Sequence, residues 1–253
     1  MVAAVTAALR NALAPRGVLR AAINLSNFLL VSDRSGATPR GVSPSLCAAL
    51  AARLDVPLQL VEYENPGLLA DAAGHDEWDV GLIGAEPARA ETIAFTQHYA
   101  EIEATYLVPG GSSLRCASDV DFPSSRVVVS KRAAYALWLE ANLRNATLQP
   151  TAEPGLAASA DLFLAAGRFD ALAGLRPWLL GLVETDPRFA GARVLDGRFT
   201  TVNQAVGTPR RDGHEEAVPF LESFVADAVA SGRVAELIRE HGVEGKLRAA
   251  GLG

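Results

Sequence analysis

A guanidinium set against the dipole of a helix is the first chemically suggestive feature of this chain. Trp78 to Val108 reads WDVGLIGAEPARAETIAFTQHYAEIEATYLV. An apolar strand (Val80, Leu82, Ile83) leads into Glu86-Pro87 and a short helical turn carrying Arg89. Phe95, Thr96 and Tyr99 follow, and then a second extended run, Ile102 to Val108. Proline suits the first position of a helix, because its missing N–H costs nothing there. Arg89 then falls in the first turn, where the dipole favours anions. A cation so placed is either a surface side chain or one kept to face an anion. A second group of candidates, Asn24, Asn27 and Phe28, follows the strand Val18 to Ile23. Ligands of open α/β sheets sit beyond the carboxyl ends of strands, so these three are pocket residues or plain turn chemistry. His75, His98, His214 and His241 have no metal-ligand spacing, and no Gly-x-Ser-x-Gly, phosphate-loop or dinucleotide fingerprint is present. The expectation is therefore no cofactor and no metal.

The elements that must position these residues alternate. Ser43-Pro44 reads as the cap and first residue of a helix bearing Leu46, Leu50 and Leu54, and Pro57 to Tyr63 alternates as a strand. Asn65-Pro66-Gly67 opens another helix, closed at Gly74-His75-Asp76. Strand and helix in alternation predict a parallel sheet. After the flexible Pro109 to Ser113, a second series begins. It runs through Arg126 to Ser130, a helix over 133–143, and Thr147 to Gln149. A helix over 155–166, a strand Phe169 to Ala173, a helix Pro177 to Val183 and a strand at Val194-Leu195 continue it. Thr200 to Gly207 is extended, and Glu215 to His241 reads as one helix with an apolar face.

The chain has 253 residues, 49% of them hydrophobic and 21% charged, with net charge −6. That length buries a substantial core, and the acidic balance argues against nucleic acid as a partner. Cys47 and Cys116 lie far apart without metal or disulfide spacing, and Cys47 reads as a small core residue. The opening MVAAVTAALRNALAPRG lacks both a charged leader start and an apolar run long enough for a signal or a membrane span. It reads as a short helix ending near Pro15 and Gly17. The expectations are no membrane insertion and a cytoplasmic location, or a periplasmic one if a leader once preceded this sequence.

Asp79, Arg89, Phe95, Thr96 and Tyr99 together resemble the signature of the family 3 bacterial solute-binding proteins. The stretch Gly41 to Leu60 (GVSPSLCAALAARLDVPLQL) resembles that family's first helix, with Ser45 where an Asp is usual. The resemblance implies a two-lobed α/β fold of the type II periplasmic-binding-protein kind, each lobe a mixed, mostly parallel sheet flanked by helices. Residues 1–107 with 205–253 would form one lobe and 108–204 the other. Two extended crossings, Ile102 to Val108 outbound and Thr201 to Val206 returning, would serve as hinge. It also implies that Arg89 holds a ligand carboxylate through a bidentate fork.

Departures from the family pattern shape the expected ligand. Leu175 stands where a carboxylate usually meets the ligand's ammonium, and burying an ammonium against leucine is costly. Lys131-Arg132-Ala133 replaces the usual Gly-Thr or Gly-Ser, and Arg176 follows Leu175. The trade of hydroxyls for cations predicts a pocket with Arg89, Lys131, Arg132 and Arg176, unless the last three are solvated surface charges. Glu101 or Glu103 would act as a compensating acceptor or as an ion-pair partner. Glu86 and Gln204, with Asn203, complete the polar candidates. The resulting expectation is a non-enzymatic binder that closes by hinge motion on a small anionic organic solute, a carboxylate or atypical amino acid. An ABC transporter permease would be its partner. The alternatives are a lyase resembling cyclohexadienyl dehydratase, with Glu86, Glu101 or Glu103 as general acid and His98 a weaker choice, and a sensor or partner-binding protein.

Overall fold

A computed structural model describes residues 5–165, 169–211 and 216–251. Ala166, His214 and Glu215, which figure in the sequence expectations, lie outside those residues. In chain order the elements begin with α1 (Ala7–Leu13), β1 (Leu19–Asn24), α2 (Val42–Leu54), β2 (Leu58–Tyr63), α3 (Pro66–Asp71), β3 (Val80–Gly84) and β4 (Ile93–Val108). There follow β5 (Arg126–Val129), α4 (Ala134–Asn142), β6 (Thr147–Pro150), α5 (Leu156–Leu164), β7 (Ala171–Leu175), α6 (Arg176–Thr185) and β8 (Arg193–Val194). The chain ends with β9 (Thr200–Pro209), α7 (Ala217–Ala230), α8 (Arg233–Glu240) and β10 (Arg248–Ala249). By its contacts it divides into two compact units, Met1–Glu101 with Asn203–Gly253, and Ile102–Val202.

In the first unit β1 lies between β2 and β3, parallel to both, and β9 runs antiparallel to β3. All six residues of β1 are buried, as a strand covered on both faces must be. Trp78, wholly buried, packs with Ala22, Leu69, Ile83 and Ile93, and its indole N–H donates to the Leu69 carbonyl at 3.1 Å. Burying each large apolar side chain contributes roughly 1.5–3 kcal/mol. Asn65 caps α3 by accepting from the Leu68 N–H, with Pro66 in the first turn.

The second unit has β7 antiparallel to the latter part of β4 and parallel to β5, with β6 parallel beyond β5. Leu107, Val128, Leu172 and Leu179 form its core with Phe163 and Phe189, whose rings stack 6.2 Å apart. Among the described residues no helix is long and apolar enough to cross a membrane.

Four expectations need correction. The first-unit helix starts at Val42, with Gly41 rather than Ser43 as its cap. Gly41 has φ 151°, and a Cβ there would stand 2.2 Å from the Leu30 carbonyl oxygen, so only glycine fits. The N–H of Ser43 donates to that same carbonyl and its hydroxyl turns to Tyr99. Asn24 is the last residue of β1 rather than the first of a loop. Phe95 to Tyr99 belongs to one continuous strand, β4, with Ile102 to Val108. The carboxyl-terminal tail is two helices, broken at Gly232, whose φ of 77° a helix cannot contain.

Candidate functional site

The residues expected to do chemistry fall into two groups, one in each unit. In the first, Asn24 ends β1 and Gly84 ends β3, the two strands being parallel. Gln204 of β9 stands opposite Gly84, and the Ala85 N–H donates to the Asn203 carbonyl at 2.9 Å. Asn24, Gly84 and Gln204 thus line the carboxyl edge of the parallel strands, where α/β sheets present ligand sites.

Glu86 to Thr92 leaves that edge as the short helical turn expected around Arg89, with the Ala90 N–H donating to the Glu86 carbonyl at 3.1 Å, and it does not extend into a helix. Arg89 N–H donates to the Glu86 carbonyl at 2.9 Å, and Ile93 N–H to the Arg89 carbonyl at 3.0 Å. Because β4 begins at Ile93, too little chain remains for helix nucleation. The turns fold Arg89 inward. The residue is only 5% exposed, and its Nη1 donates to the Gly84 carbonyl at 2.8 Å. Glu86 is 8% exposed; burial raises its pKa, partly offset by the charge of Arg89.

Asn24 and Asn27 are buried, and their side-chain oxygens close local turns. Asn24 Oδ1 accepts from the N–H and hydroxyl of Ser26, and Asn27 Oδ1 from the Leu29 N–H. Phe28 is exposed and Gln204 is buried. The remaining motif residues brace the framework. Asp79, wholly buried, forks onto Arg20 with Oδ1–Nη2 at 2.6 Å and Oδ2–Nε at 3.1 Å. Thr96 Oγ1 accepts from the Val206 N–H, and the Tyr99 hydroxyl meets Ser43 at 3.2 Å. Arg20 escaped the sequence reading, although a charge inside the apolar run VLRAAI was its signal.

The second unit uses its charges internally. Glu103 receives Arg176 Nε at 2.8 Å and Arg198 Nη1 at 3.1 Å. Arg176 also donates to the carbonyls of Leu195 and Gly197. Burial pushes Glu103 up, but the hydrogen bond and charge of Arg176, with Arg198, more than offset it and leave its pKa below the usual range. Lys131 is exposed, its Nζ donating to the Ala152 carbonyl at 3.0 Å. Arg132 is half-buried with φ 61°, a strained conformation outside glycine. A pocket crowded with cations is therefore not what these contacts describe for Arg176, which Glu103 neutralises.

Elsewhere in the first unit, His98 and Arg248 both meet Glu101, whose pKa ends below the usual range although burial opposes this. His241, at the carboxyl end of α8, is half-buried and hydrogen-bonds Ser45 at 2.9 Å. Cys47 is wholly buried, and burial pushes its thiol up to about 12. Among the described residues no group of three potential metal ligands occurs.

The structure is similar to many solved proteins. One is a putative binding component of an ABC transporter from Wolinella succinogenes complexed with lysine, at TM-score 0.72 and 18% identity, covering 91% of this chain and 98% of that one. Another is an amino acid ABC transporter substrate-binding protein from Streptococcus pneumoniae bound to L-arginine, at 0.70 and 18%, covering 91% and 97%. A third is an ancestral amino acid-binding protein, a precursor of cyclohexadienyl dehydratase, at 0.66 and 20%, covering 89% and 96%. At these identities the likeness shows the fold, mixed α/β with mostly parallel sheets. No curated protein matches the sequence. The family model for bacterial extracellular solute-binding proteins, family 3, matches residues 21–244. The chain belongs to that family.

Proposed function

We propose that this protein binds a small organic solute through the solute's carboxylate, at the carboxyl edge of the first unit's sheet, as the binding component of an ABC transporter. The observation that carries this reading is the guanidinium of Arg89, folded inward and anchored at one nitrogen by the Gly84 carbonyl. A guanidinium fixed in orientation presents a planar fork suited to a carboxylate. Solved relatives carrying lysine and L-arginine support a solute of amino-acid size. A thermal-shift screen over organic acids and amino acids tests the reading. A ligand at a hundredfold excess over its dissociation constant adds about 2.7 kcal/mol to stability. Arg89→Met should abolish that gain; retention of affinity would overturn the site.

A second reading is favoured by one observation. Of the three carboxylates open to a general acid's role, Glu101 and Glu103 are held below the usual range by arginines, whereas burial raises Glu86. A carboxyl shifted toward its protonated form is the better proton donor of the three. On a cyclohexadienyl carboxylate the C–CO2 bond would break and its electron pair would aromatise the ring. The C–O bond would break in turn, the leaving hydroxyl taking the proton of Glu86. Appearance of an aromatic chromophore, lost in Glu86→Gln, would establish a lyase; its absence leaves a binder.

A further inference from the structure

We propose that the second unit carries a binding site of its own, for a neutral sugar ring, at the amino edge of its parallel strands. The inference is independent of Arg89 and of the solute reading above. It concerns a cavity of about 360 Å³ lined by the loop 109–114 with Phe122, Phe169 and Asp170. Its size lies toward the small end of ligand sites, roughly 300–1,000 Å³. Arg126 opens β5 and Asp170 directly precedes β7. The cavity therefore sits at the opposite end of these strands from Lys131 and Arg176, which follow them.

The groups around it are held in place yet keep hydrogen-bonding capacity to spare. Asp170 Oδ2 accepts from the Arg126 N–H at 2.8 Å, and the Asp170 N–H donates to the Arg126 carbonyl at 2.9 Å. That exchange fixes the carboxylate, and among the described residues its Oδ1 has no hydrogen-bond partner. The loop, which its glycines and serines suggest is flexible, is closed on itself. Ser112 N–H donates to the Pro109 carbonyl at 3.2 Å, and Leu114 N–H to Ser112 Oγ at 3.3 Å. Arg193 Nη2 donates to the carbonyls of Ser112 and Leu114. Ser113 is exposed, with a hydroxyl that no described residue engages. A site ordered beforehand loses less entropy on binding.

Charge and surface then select the ligand. The Arg126 guanidinium lies 4.9 Å from the centre of the Phe169 ring, so a fixed cation stands beside the fixed carboxylate. An ammonium would approach the guanidinium and an anion the carboxylate, and each would meet repulsion. A purely apolar ligand would bury Asp170 Oδ1 without a donor, which is costly. A neutral polyol avoids all three penalties. Phe122, 37% exposed, offers an aromatic surface whose electron-rich face suits the C–H groups on one side of a sugar ring. Sugar hydroxyls donate and accept at once, and so satisfy Asp170 Oδ1 and the Ser113 hydroxyl alike.

The test titrates the full chain, by ligand-observed NMR, with glucose, galactose and mannose and with the amino sugar and uronic acid of each. At least one neutral hexose should bind with a Kd below about 10 mM, and its charged counterparts at least about tenfold more weakly. Phe122→Ala, at an exposed position, should weaken that hexose by about tenfold, and Asp170→Asn by a similar factor. Arg89→Met should leave it unchanged. The methyl glycoside of the best hexose separates two sources: equal binding marks the end of a sugar chain, loss of binding the free sugar, and either upholds the site. If no hexose binds, if a charged counterpart binds more tightly, or if Phe122→Ala leaves affinity intact, the site is refuted. Phe122→Ala decides by itself should Asp170→Asn fail to fold. Loss of hexose binding in Arg89→Met would move the sugar to the first unit and refute this site as well, whereas failure of the carboxylate screen leaves it standing.

Discussion

Asp79 and Arg20 form a two-pronged ion pair that ties the entry of β3 to β1, both residues lying at or below 4% exposure. The backbone N–H of Arg20 donates to the same carboxylate at 3.0 Å. Arg20 keeps a second carboxylate partner in Asp76, so removing Asp79 breaks buried charge-assisted hydrogen bonds without leaving the guanidinium unpaired, a loss of about 1.5–3 kcal/mol. Asp79→Ala is expected to destabilise the protein by that amount in urea unfolding. A loss under about 1 kcal/mol would show the pair to be dispensable.

Gly41 offers a backbone test. Any side chain there meets the Leu30 carbonyl at 2.2 Å, and backbone cannot move aside as a flexible side chain can. Gly41→Ala should cost about 2 kcal/mol or more and lower the melting temperature by several degrees. The displaced segment, Leu30 with Asn27 and Phe28, lies beside the proposed site, so ligand affinity should weaken as well.

Asp76 gives a pH signature. Arg20 and Arg16 hydrogen-bond its carboxylate, and the charge of Arg211 adds to theirs, holding its pKa down to about 2 from the ordinary 3.8. A depressed carboxylate stabilises the fold fully above its unfolded pKa, and that contribution fades as pH falls through the folded value. The stability gap between wild type and Asp76→Asn should be constant from pH 7 to about 5 and narrow between about 4 and 2. Because Asp76 is half exposed, salt should shrink the gap. Urea midpoints across pH for the two proteins, at low and high salt, measure both effects.

These contacts mark how far the sequence could be read. Alternating strands and helices, the Asn65-Pro66 cap and the burial of Cys47 follow from local chemistry, and they stand as expected. The helical turn at Pro87 stays a single turn, because β4 starts so soon after Arg89. Arg20 with Asp79, and Arg176 with Glu103, are pairs joined across strands far apart in sequence. No local pattern states which charge a buried arginine will meet. Glu86 was legible as a carboxylate near Arg89, but its burial emerges only once the surrounding chain is in place.

Arg89 and Arg176 therefore separate by experiment. Arg176 is committed to Glu103 and to the carbonyls of Leu195 and Gly197, and ties the start of α6 to the segment before β9. Arg176→Met should lower stability by about 1–2 kcal/mol, the worth of charge-assisted hydrogen bonds in a partly exposed cluster, and leave solute affinity within twofold. Arg89→Met should do the reverse where binding is concerned: a loss of affinity of a hundredfold or more, because a carboxylate would then meet a methionine instead of a charged fork. Titration of both variants with the best solute from the screen, alongside their urea midpoints, decides the matter. A strong affinity loss in Arg176→Met would return that side chain to the ligand, and Glu103 would then be a partner it gives up on binding.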